Sequence, residues 1–515
     1  MPMQYRPQAF FASVNPTVFT VSALMVVLFV GFGVIAPGLA SQVFESIQGF
    51  ITEYLGWGYL LLVTLFLVFL VWLGFSRYGT ICLGQPDDRP EFSYGAWFAM
   101  LFSAGMGIGL VFWSVAEPIM HYQDPPHVDG GTAEAARQAM VYTYFHWGLH
   151  AWAVYVVLGL SVAYFSFRHR LPLTIRSIFY PLLGDRIYGP VGHAIDVLAI
   201  FGTLFGLATS LGFGAMQLNT GLNVLVGLPV SHWYQVGIIG AITAVAVFSV
   251  ISGLDRGLKW VSVFNLSLAM AFMLFVLLVG PTLFLMRFLL DSTGSYLQQL
   301  INLSLHTDAI GGSQWQKDWT MFYWAWWIAW SPFVGIFIAR ISRGRTIREF
   351  IVGVLGVPTL FVFAWLTIFG GTALYLELFE EGVGIATAVA EDTTVALYAT
   401  LEHLPWVTLT SSIATLLIAT YFITSSASGT YVIDALVSRG AIHSPTRQRV
   451  IWGITEGAVA ATLLIVGGER ALDSLQTASL TGGLPVAIIL AFCCYSLLRA
   501  LRREYRVEGV EAPWR

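Results

Sequence analysis

Long apolar stretches, separated by short polar segments, follow one another along nearly the whole chain. A membrane-spanning helix needs about 20 mostly apolar residues, and twelve stretches meet that requirement. The first four cover residues 17–39, 57–75, 94–116 and 144–167, and the other eight begin near positions 195, 234, 261, 319, 352, 406, 451 and 481. The pattern predicts an all-α polytopic membrane protein with twelve transmembrane helices.

Composition supports lipid as the solvent for much of the chain. Of the 515 residues, 57% are hydrophobic and only 10% are charged, against about 25% charged in soluble domains. Cys82, Cys493 and Cys494 have no spacing typical of a disulfide framework or a metal site. The net charge is -4, and no long basic block indicates a nucleic-acid partner.

The basic residues predict the orientation, because Lys and Arg are retained on the cytoplasmic side. If the termini and the even-numbered loops share one side, all but four of the 25 basic residues lie there. The exceptions are Arg137, Arg287, Lys317 and Arg470. We therefore expect a multi-pass protein of the plasma (inner) membrane with both termini in the cytoplasm.

Helix-breaking residues recur five spans apart. The third span contains Gly105-Met106-Gly107-Ile108-Gly109, and the eighth contains Pro332 and Gly335. Transporter halves related by an inverted repeat share such features in corresponding segments. We expect two five-helix units, each opening with a broken helix. The predicted parts are residues 1–16 (cytoplasmic), 17–89 (two peripheral helices), 90–290 (first unit), 291–318 (interfacial connection), 319–498 (second unit) and 499–515 (cytoplasmic tail).

The three glycines of the third span have two interpretations. A Gly-x-x-x-Gly helix-packing face is one. Local unwinding is the other, and it would free backbone carbonyls to coordinate a cation. Glu117-Pro118, further along, is expected to end this helix, with Glu117 in a structural role.

Tryptophans are densest in the eighth span. A single Trp is commonly an interfacial anchor, but Trp324, Trp326, Trp327 and Trp330 lie within seven residues. On a helix, Trp326, Trp327 and Trp330 form one aromatic surface. Such a surface suits a quaternary ammonium, which has no hydrogen-bond donor and binds aromatic faces.

The fourth span offers a second aromatic group, in Trp147, Trp152 and Tyr155, for which packing alone is the alternative explanation. His146 and His150 have a zinc-compatible spacing, but no third ligand accompanies them in the sequence. We interpret these two histidines as hydrogen-bonded within the helix bundle.

Hydroxyl side chains concentrate in the tenth span. Most of them are expected to bond to their own helix backbone, whereas Thr424 and Ser425 offer hard oxygen ligands for Na⁺. The basic segment that follows the tryptophan-rich span, from Arg340 to Arg348, anchors the topology and is a candidate pivot of ion pairs.

Four segments together closely resemble the betaine/choline/carnitine transporter family. They are GMGIGLVFWSVAEP, FHWGLHAWAVY, FYWAWWIAWSPFVGIFIARISRGRTIREF and YFITSSASGT, and the resemblance extends over residues 90–498. It implies a LeuT-type 5+5 inverted-repeat core, secondary active uptake of a trimethylammonium or sulfonium compound by alternating access, and a homotrimer.

The resemblance also implies site residues. The substrate path would comprise Trp147, Trp152, Tyr155, Trp324, Trp326, Trp327 and Trp330, beside Gly105, Met106, Gly107 and Gly109. The main sodium site would comprise Ser103, Met106, Tyr421, Thr424 and Ser425. A second ion position near Thr203 and Phe333 is in doubt, because Leu207 stands where sodium-coupled relatives have a second hydroxyl.

The expected function is sodium-coupled import of a zwitterionic betaine such as glycine betaine or dimethylsulfoniopropionate. Some proton-coupled choline transporters of the family have an acid at the position of Gly109, so its absence here favours a zwitterion over a bare cation. A choline importer and a carnitine-type exchanger remain alternatives. No nucleophile with a base is found, so an enzyme is not expected, and Na⁺ is the only expected cofactor, as coupling ion.

Overall fold

The protein is an all-helical bundle in the computed structural model, which describes residues 14–105, 107–251, 255–311, 314–440 and 445–507, with the side chains at 102–105, 255–260 and 506–507 left aside. Among these residues the one β-type pairing is a bridge between Cys82 and Thr346. Ten helical segments of the described chain are long and apolar enough to cross a membrane. The protein is therefore a polytopic membrane protein.

Helices cover the predicted apolar stretches, and further helices, among them α12, lie between them. The first part of the chain forms α1 (Pro16–Ile35), α2 (Pro37–Phe50), α3 (Gly56–Phe75), α4 (Tyr94–Gly105), α5 (Ile108–Gln123), α6 (Ala133–Trp147), α7 (Leu149–Ala163), α8 (Tyr180–Leu183), α9 (Pro190–Val226), α10 (His232–Ile251) and α11 (Asp255–Val279). The second part forms α12 (Thr282–Leu305), α13 (Phe322–Ile341), α14 (Ile347–Phe379), α15 (Ile385–Glu391), α16 (Ala396–Leu401), α17 (Val407–Val437), α18 (Thr446–Gly467) and α19 (Ala471–Val507).

The glycine-rich third stretch is divided between α4 and α5. Gly107, at the start of α5, has an extended backbone with φ -138° and ψ 178°, and Met106 lies outside the described residues. The prediction that Glu117-Pro118 ends this helix is wrong, because α5 continues to Gln123. Because Pro118 has no N–H, the Ser114 carbonyl lacks its usual hydrogen-bond partner within the helix. That carbonyl lies against Gly370 of α14.

The prediction of a break in the eighth span is also wrong, since α13 is continuous through Pro332. A proline in a helix deprives the carbonyl four residues earlier of its usual N–H partner. Here that carbonyl belongs to Ile328, and the Ser331 hydroxyl donates to it at 2.7 Å. The neighbouring serine thus restores the missing hydrogen bond, and the helix persists.

A break that the sequence analysis missed separates α6 from α7 at Gly148. Its backbone (φ -90°, ψ -135°) is not helical. A Cβ at this position would come within 2.5 Å of the Tyr144 carbonyl oxygen and 2.9 Å of the Phe363 ring, so the close approach requires glycine. The break lies between Trp147 and Trp152 and therefore affects the orientation of both rings.

Helix α13 lies at the centre of the bundle, against α7, α9 and α19. Its close approach to α7 depends on two glycines, because a Cβ on Gly159 would lie 3.0 Å from the Gly335 carbonyl oxygen. Peripheral helices instead expose large apolar side chains, such as Leu28 on α1 and Phe248 on α10. A buried central helix surrounded by outer helices that expose apolar side chains is the arrangement expected in lipid.

Residues 291–318, predicted as an interfacial connection, begin inside α12. This helix buries Phe288 and Tyr296 while exposing Leu290, Leu297 and Ile301. One face of α12 therefore packs on the bundle and the other is apolar and exposed.

Candidate functional site

Six aromatic side chains from α6, α7 and α13 surround one small cavity and are called the aromatic cage. They are Trp147, Trp152, Tyr155, Trp326, Trp327 and Trp330. The rings of Trp326 and Trp327 stack with centroids 4.7 Å apart, and Trp147 meets Trp327 edge-on at 4.8 Å. Tyr155 lies 6.2 Å from Trp330. The cavity between them measures about 20 Å³, which is room for roughly one water molecule.

Glycines of the third stretch lie directly beneath these rings. A Cβ on Gly109 would fall 2.3 Å from Cη2 of Trp326, whereas one on Gly107 would lie 3.5 Å from Cη2 of Trp330, an ordinary contact. Gly109 therefore allows the Trp326 ring to rest on the α5 backbone. Gly107 and Gly109 both line the cage cavity, and Gly105 ends α4.

Trp324, grouped with the other tryptophans in the sequence analysis, occupies a different place. Its ring stacks on His150 with centroids 5.5 Å apart and meets Phe145 at 5.1 Å. Trp324 is therefore packed between α13 and the α6–α7 region, outside the set of residues that lines the cage cavity.

Two cage tryptophans are held by hydrogen bonds. Trp327 Nε1 donates to the His146 carbonyl at 2.8 Å, and Trp147 Nε1 donates to Glu117 Oε2 at 2.7 Å. The donors of Tyr155, Trp326 and Trp330 are buried and have no hydrogen-bond partner among the described residues. Those three side chains thus retain hydrogen-bonding capacity beside the cavity.

A larger cavity, about 270 Å³ in volume, adjoins the cage and is called the hydroxyl cavity. Its lining comprises Met100, Gly107, Ser262, Asn265, Leu266, Trp330, Phe333, Val334, Phe337, Tyr421, Thr424, Ser425 and Ser428. Because Trp330 and Gly107 also line the cage, the two cavities are neighbours with a shared wall.

Oxygen atoms dominate the polar lining of the hydroxyl cavity. Thr424 Oγ1 donates to the Thr420 carbonyl at 3.0 Å, which leaves its lone pairs available as acceptors. The Tyr421 hydroxyl and the Asn265 side-chain amide are buried without partners among the described residues. Hydroxyl and amide oxygens are hard ligands that suit a hard cation. Ser103 lies in α4, but its side chain is outside the described residues.

The two residues expected near a second ion position have different immediate partners. Phe333 lines the hydroxyl cavity, whereas Thr203 donates to the Ala199 carbonyl at 2.7 Å within α9. Leu207 packs against Gly429 of α17, where a Cβ would lie 2.5 Å from Leu207 Cδ1. An apolar contact therefore occupies the place of the second hydroxyl.

A buried polar cluster beside the cage escaped the sequence analysis. We call it the Glu117 hub: Glu117 and His121 of α5, His146 and Trp147 of α6, and Tyr323 of α13. Glu117, His121 and His146 are fully buried, and their ligand atoms lie within 4.8 Å of one another. Glu117 and His121 are four residues apart on α5, a spacing that places them on one helix face. This spacing was the signal available in the sequence.

The two histidines of the fourth stretch have separate partners. His146 Nδ1 lies 2.7 Å from Glu117 Oε1 and its Nε2 lies 2.9 Å from the Thr320 hydroxyl. His150 Nε2 lies 3.0 Å from the Ser304 hydroxyl of α12. Both are hydrogen-bonded within the bundle, as expected, although the acid beside His146 was missed.

The basic segment at the end of α13 is tied to the loop before α4. Arg340 pairs with Glu91 at 3.0 Å and Arg343 pairs with Asp88 at 3.1 Å. The backbone N–H of Gln85, together with the Arg343 guanidinium, holds the pKa of the Asp88 carboxyl below its usual value. These contacts agree with the predicted set of ion pairs between loops.

Comparisons with known proteins agree with this architecture. Residues 17–506 match the family model for BCCT, betaine/carnitine/choline family transporter. The chain is 45% identical over 489 residues to a probable glycine betaine transporter of Desulfitobacterium hafniense, which covers 95% of this chain and 98% of that relative.

Two further relatives carry different substrate names. The glycine betaine transporter OpuD of Bacillus subtilis is 46% identical over 92% of each chain. The osmo-dependent choline transporter BetT2 of Acinetobacter baylyi is 41% identical over 95% of this chain and 72% of its own length. A family match across nearly the whole sequence, with relatives of this identity, makes the assignment plain: the chain belongs to the betaine/carnitine/choline transporter family, and it is a transporter rather than an enzyme.

Proposed function

We propose that the protein is a secondary active transporter that imports a zwitterionic betaine-type osmolyte together with Na⁺. The observation that carries the proposal is the contiguity of the aromatic cage and the hydroxyl cavity, which share Trp330 and Gly107. A quaternary ammonium site and a hard-oxygen site thus meet at one wall. Two of the relatives reported above are named as glycine betaine transporters.

The cage suits the cationic head of a betaine. A trimethylammonium or sulfonium group has no N–H to donate and is attracted to aromatic faces, by about 2 kcal/mol or more once desolvated. Tyr155, Trp326 and Trp330 supply buried donors that lack partners among the described residues. Those donors are suited to the carboxylate at the other end of a zwitterion.

Entry of a substrate requires the cage to open. Its cavity of about 20 Å³ is too small for a trimethylammonium group, so the rings must separate as α5, α6 and α13 move relative to one another. This requirement supports alternating access. In the same proposal the helices make twelve crossings, and residues 90–290 and 319–498 form the two units of a LeuT-type inverted repeat.

Sodium is the proposed coupling ion, and the hydroxyl cavity is its proposed location. Thr424 and Ser425 line that cavity with Tyr421, and Ser103 and Met106 of the third stretch complete the proposed set. Sodium requires several oxygen ligands to replace its hydration shell. The packing of the apolar Leu207 side chain against Gly429 supports a single sodium ion per substrate.

Choline import is the second candidate, because one relative is named a choline transporter and the cage does not itself require a carboxylate. Gly109 offers no acid to balance a bare cation, and Trp326 leaves no room for a side chain there. Carnitine-type exchange is less well supported, since the hydroxyl cavity favours ion coupling. We further propose a homotrimer in the plasma membrane with both termini in the cytoplasm.

The test is uptake of labelled substrates by purified protein in proteoliposomes with an inward sodium gradient. Glycine betaine and dimethylsulfoniopropionate should accumulate, and each should inhibit uptake of the other. Choline should compete weakly. Accumulation of choline in preference to both zwitterions would favour the second candidate and overturn the first.

A further inference from the structure

The Glu117 hub lies directly behind the wall of the aromatic cage. We propose that Glu117 is a specificity-determining residue, which positions Trp147 and makes the cage prefer a cationic head over an uncharged head of the same shape. The inference rests on the proposed function, because it concerns recognition of the betaine head in that cage.

Glu117 is fully buried, and each of its carboxylate oxygens has two partners. Oε2 accepts hydrogen bonds from Trp147 Nε1 at 2.7 Å and from the Tyr323 hydroxyl. Oε1 lies 2.7 Å from His146 Nδ1 and 3.3 Å from His121 Nε2. One carboxylate therefore joins α5, α6 and α13, the helices that meet at the cage.

Burial alone disfavours a charged carboxylate, and the hydrogen-bond partners of Glu117 act against this penalty and favour its ionised form, which the inference requires. The indole N–H can only donate, and hydrogen bonds donated to a carboxylate stabilise its ionised form. His146 completes a consistent pattern if Nδ1–H donates to Glu117 while Nε2 accepts from the Thr320 hydroxyl, 2.9 Å away. Among the described residues, no Lys or Arg forms an ion pair with Glu117. The charge is therefore stabilised by neutral donors rather than cancelled by a cation.

This charge acts on the cage through two tryptophans. Trp147 donates its N–H to the carboxylate while its ring meets Trp327 at 4.8 Å, and hydrogen bonding to an anion polarises the donor group. A ring polarised in this sense is more negative on its face and attracts a cation more strongly. Trp327 is held by the carbonyl of His146, whose imidazole belongs to the same hub. The hub thus fixes the orientation of two rings and adds to their attraction for a positive head.

Glu456 offers a matched control. It is the other fully buried Glu of the described bundle, and its carboxylate accepts from the Thr430 hydroxyl at 3.3 Å. None of the cage residues is among its hydrogen-bond partners in the described chain. Glu456→Gln therefore removes a buried acid of the same kind without altering the cage.

The experiment measures equilibrium binding of glycine betaine and of 3,3-dimethylbutyrate, whose tert-butyl head has the shape of trimethylammonium without its charge. Glu117→Gln, which keeps the side-chain shape, should weaken betaine binding about tenfold or more and leave the affinity for 3,3-dimethylbutyrate unchanged or higher. Glu456→Gln should leave the ratio of the two affinities as in wild type. If Glu117→Gln cannot be purified, Tyr323→Phe, which removes one donor to the carboxylate, should change the ratio in the same direction by a few fold.

Equal weakening of both ligands by Glu117→Gln, or an unchanged ratio in Tyr323→Phe where that variant is used, would assign the hub a purely structural role and overturn the inference. Unchanged betaine binding in Glu117→Gln would overturn it as well. Wild-type protein that fails to bind betaine at all would instead overturn the proposed function, so the two failures are distinguishable.

Discussion

The aromatic cage and the hydroxyl cavity share a wall but differ in how they are filled. The cage holds six aromatic side chains around about 20 Å³, with Trp326 and Trp327 stacked on each other. The hydroxyl cavity has a volume of about 270 Å³ and presents buried polar atoms of Tyr421 and Asn265 that lack partners among the described residues. The cage is closed by its own rings, whereas the hydroxyl cavity has space beside these polar atoms.

In the proposed function, this difference separates substrate binding from ion binding. The substrate would have to part rings that already pack on one another, so changes in the cage should act mainly on substrate affinity. The cation would enter a cavity that already exists, so changes to its oxygen atoms should act mainly on the ion requirement. Trp330 lines both cavities, and in the proposed function it couples substrate binding to ion binding.

The largest effect is expected in the cage. Trp327→Leu removes the aromatic face and should weaken betaine binding at least tenfold, which corresponds to about 1.4 kcal/mol. Trp324→Leu is the matched control, because Trp324 packs on His150 outside the cage. It should lower thermal stability while the dissociation constant measured by calorimetry stays near the wild-type value. Equal losses of affinity in both variants would remove the distinction between these tryptophans.

The next effect concerns the ion. Thr424→Ala combined with Ser425→Ala removes two hydroxyls from the hydroxyl cavity and should raise the sodium concentration for half-maximal uptake several-fold or more. Betaine affinity at saturating sodium should change much less. Thr420→Ala serves as control, since Thr420 lies one turn before Thr424 on α17 and is outside the set of residues that lines the hydroxyl cavity. A sodium requirement that is unchanged in the double variant would place the ion elsewhere.

A smaller effect is expected at the glycines beneath the rings. Gly109→Ala would place a Cβ 2.3 Å from Trp326, whereas Gly107→Ala would make an ordinary contact of 3.5 Å with Trp330. We expect Gly109→Ala to reduce betaine affinity a few fold through displacement of the Trp326 ring, and Gly107→Ala to reduce it less. Parallel binding titrations measure the betaine affinity of the two variants. A larger loss of affinity in Gly107→Ala than in Gly109→Ala would contradict the packing described for the cage.

The smallest effect concerns stoichiometry. With Leu207 packed on Gly429, the Hill coefficient for sodium in uptake assays should be near one. Leu207→Thr supplies a hydroxyl one turn from Thr203 and should move the coefficient towards two. A wild-type coefficient near two would show that other oxygen atoms complete a second site.

Much of this arrangement follows from local sequence. Apolar length predicts where the helices lie, and helical spacing places Trp326, Trp327 and Trp330 on one surface. Helical spacing alone does not separate Trp324, which lies about 60° around the helix from Trp327 at roughly 100° per residue. The family resemblance grouped it with the others, and its packing on His150 depends on a contact between two helices that the local sequence does not specify.

Other features depend on contacts between distant segments. The continuity of α13 depends on a side chain, Ser331, that replaces one backbone hydrogen bond, and proline alone suggests a break. The Glu117 hub joins residues 30 positions apart, at Trp147, and 206 apart, at Tyr323. No local pattern in a single sequence specifies which distant side chains will meet one buried acid.

The central claim is that sodium drives betaine import, and the most direct test is uptake of labelled glycine betaine into proteoliposomes under imposed gradients. An inward sodium gradient should produce transient accumulation above equilibrium, and a proton gradient in sodium-free buffer should produce none. Equal accumulation under the proton gradient alone would contradict the account.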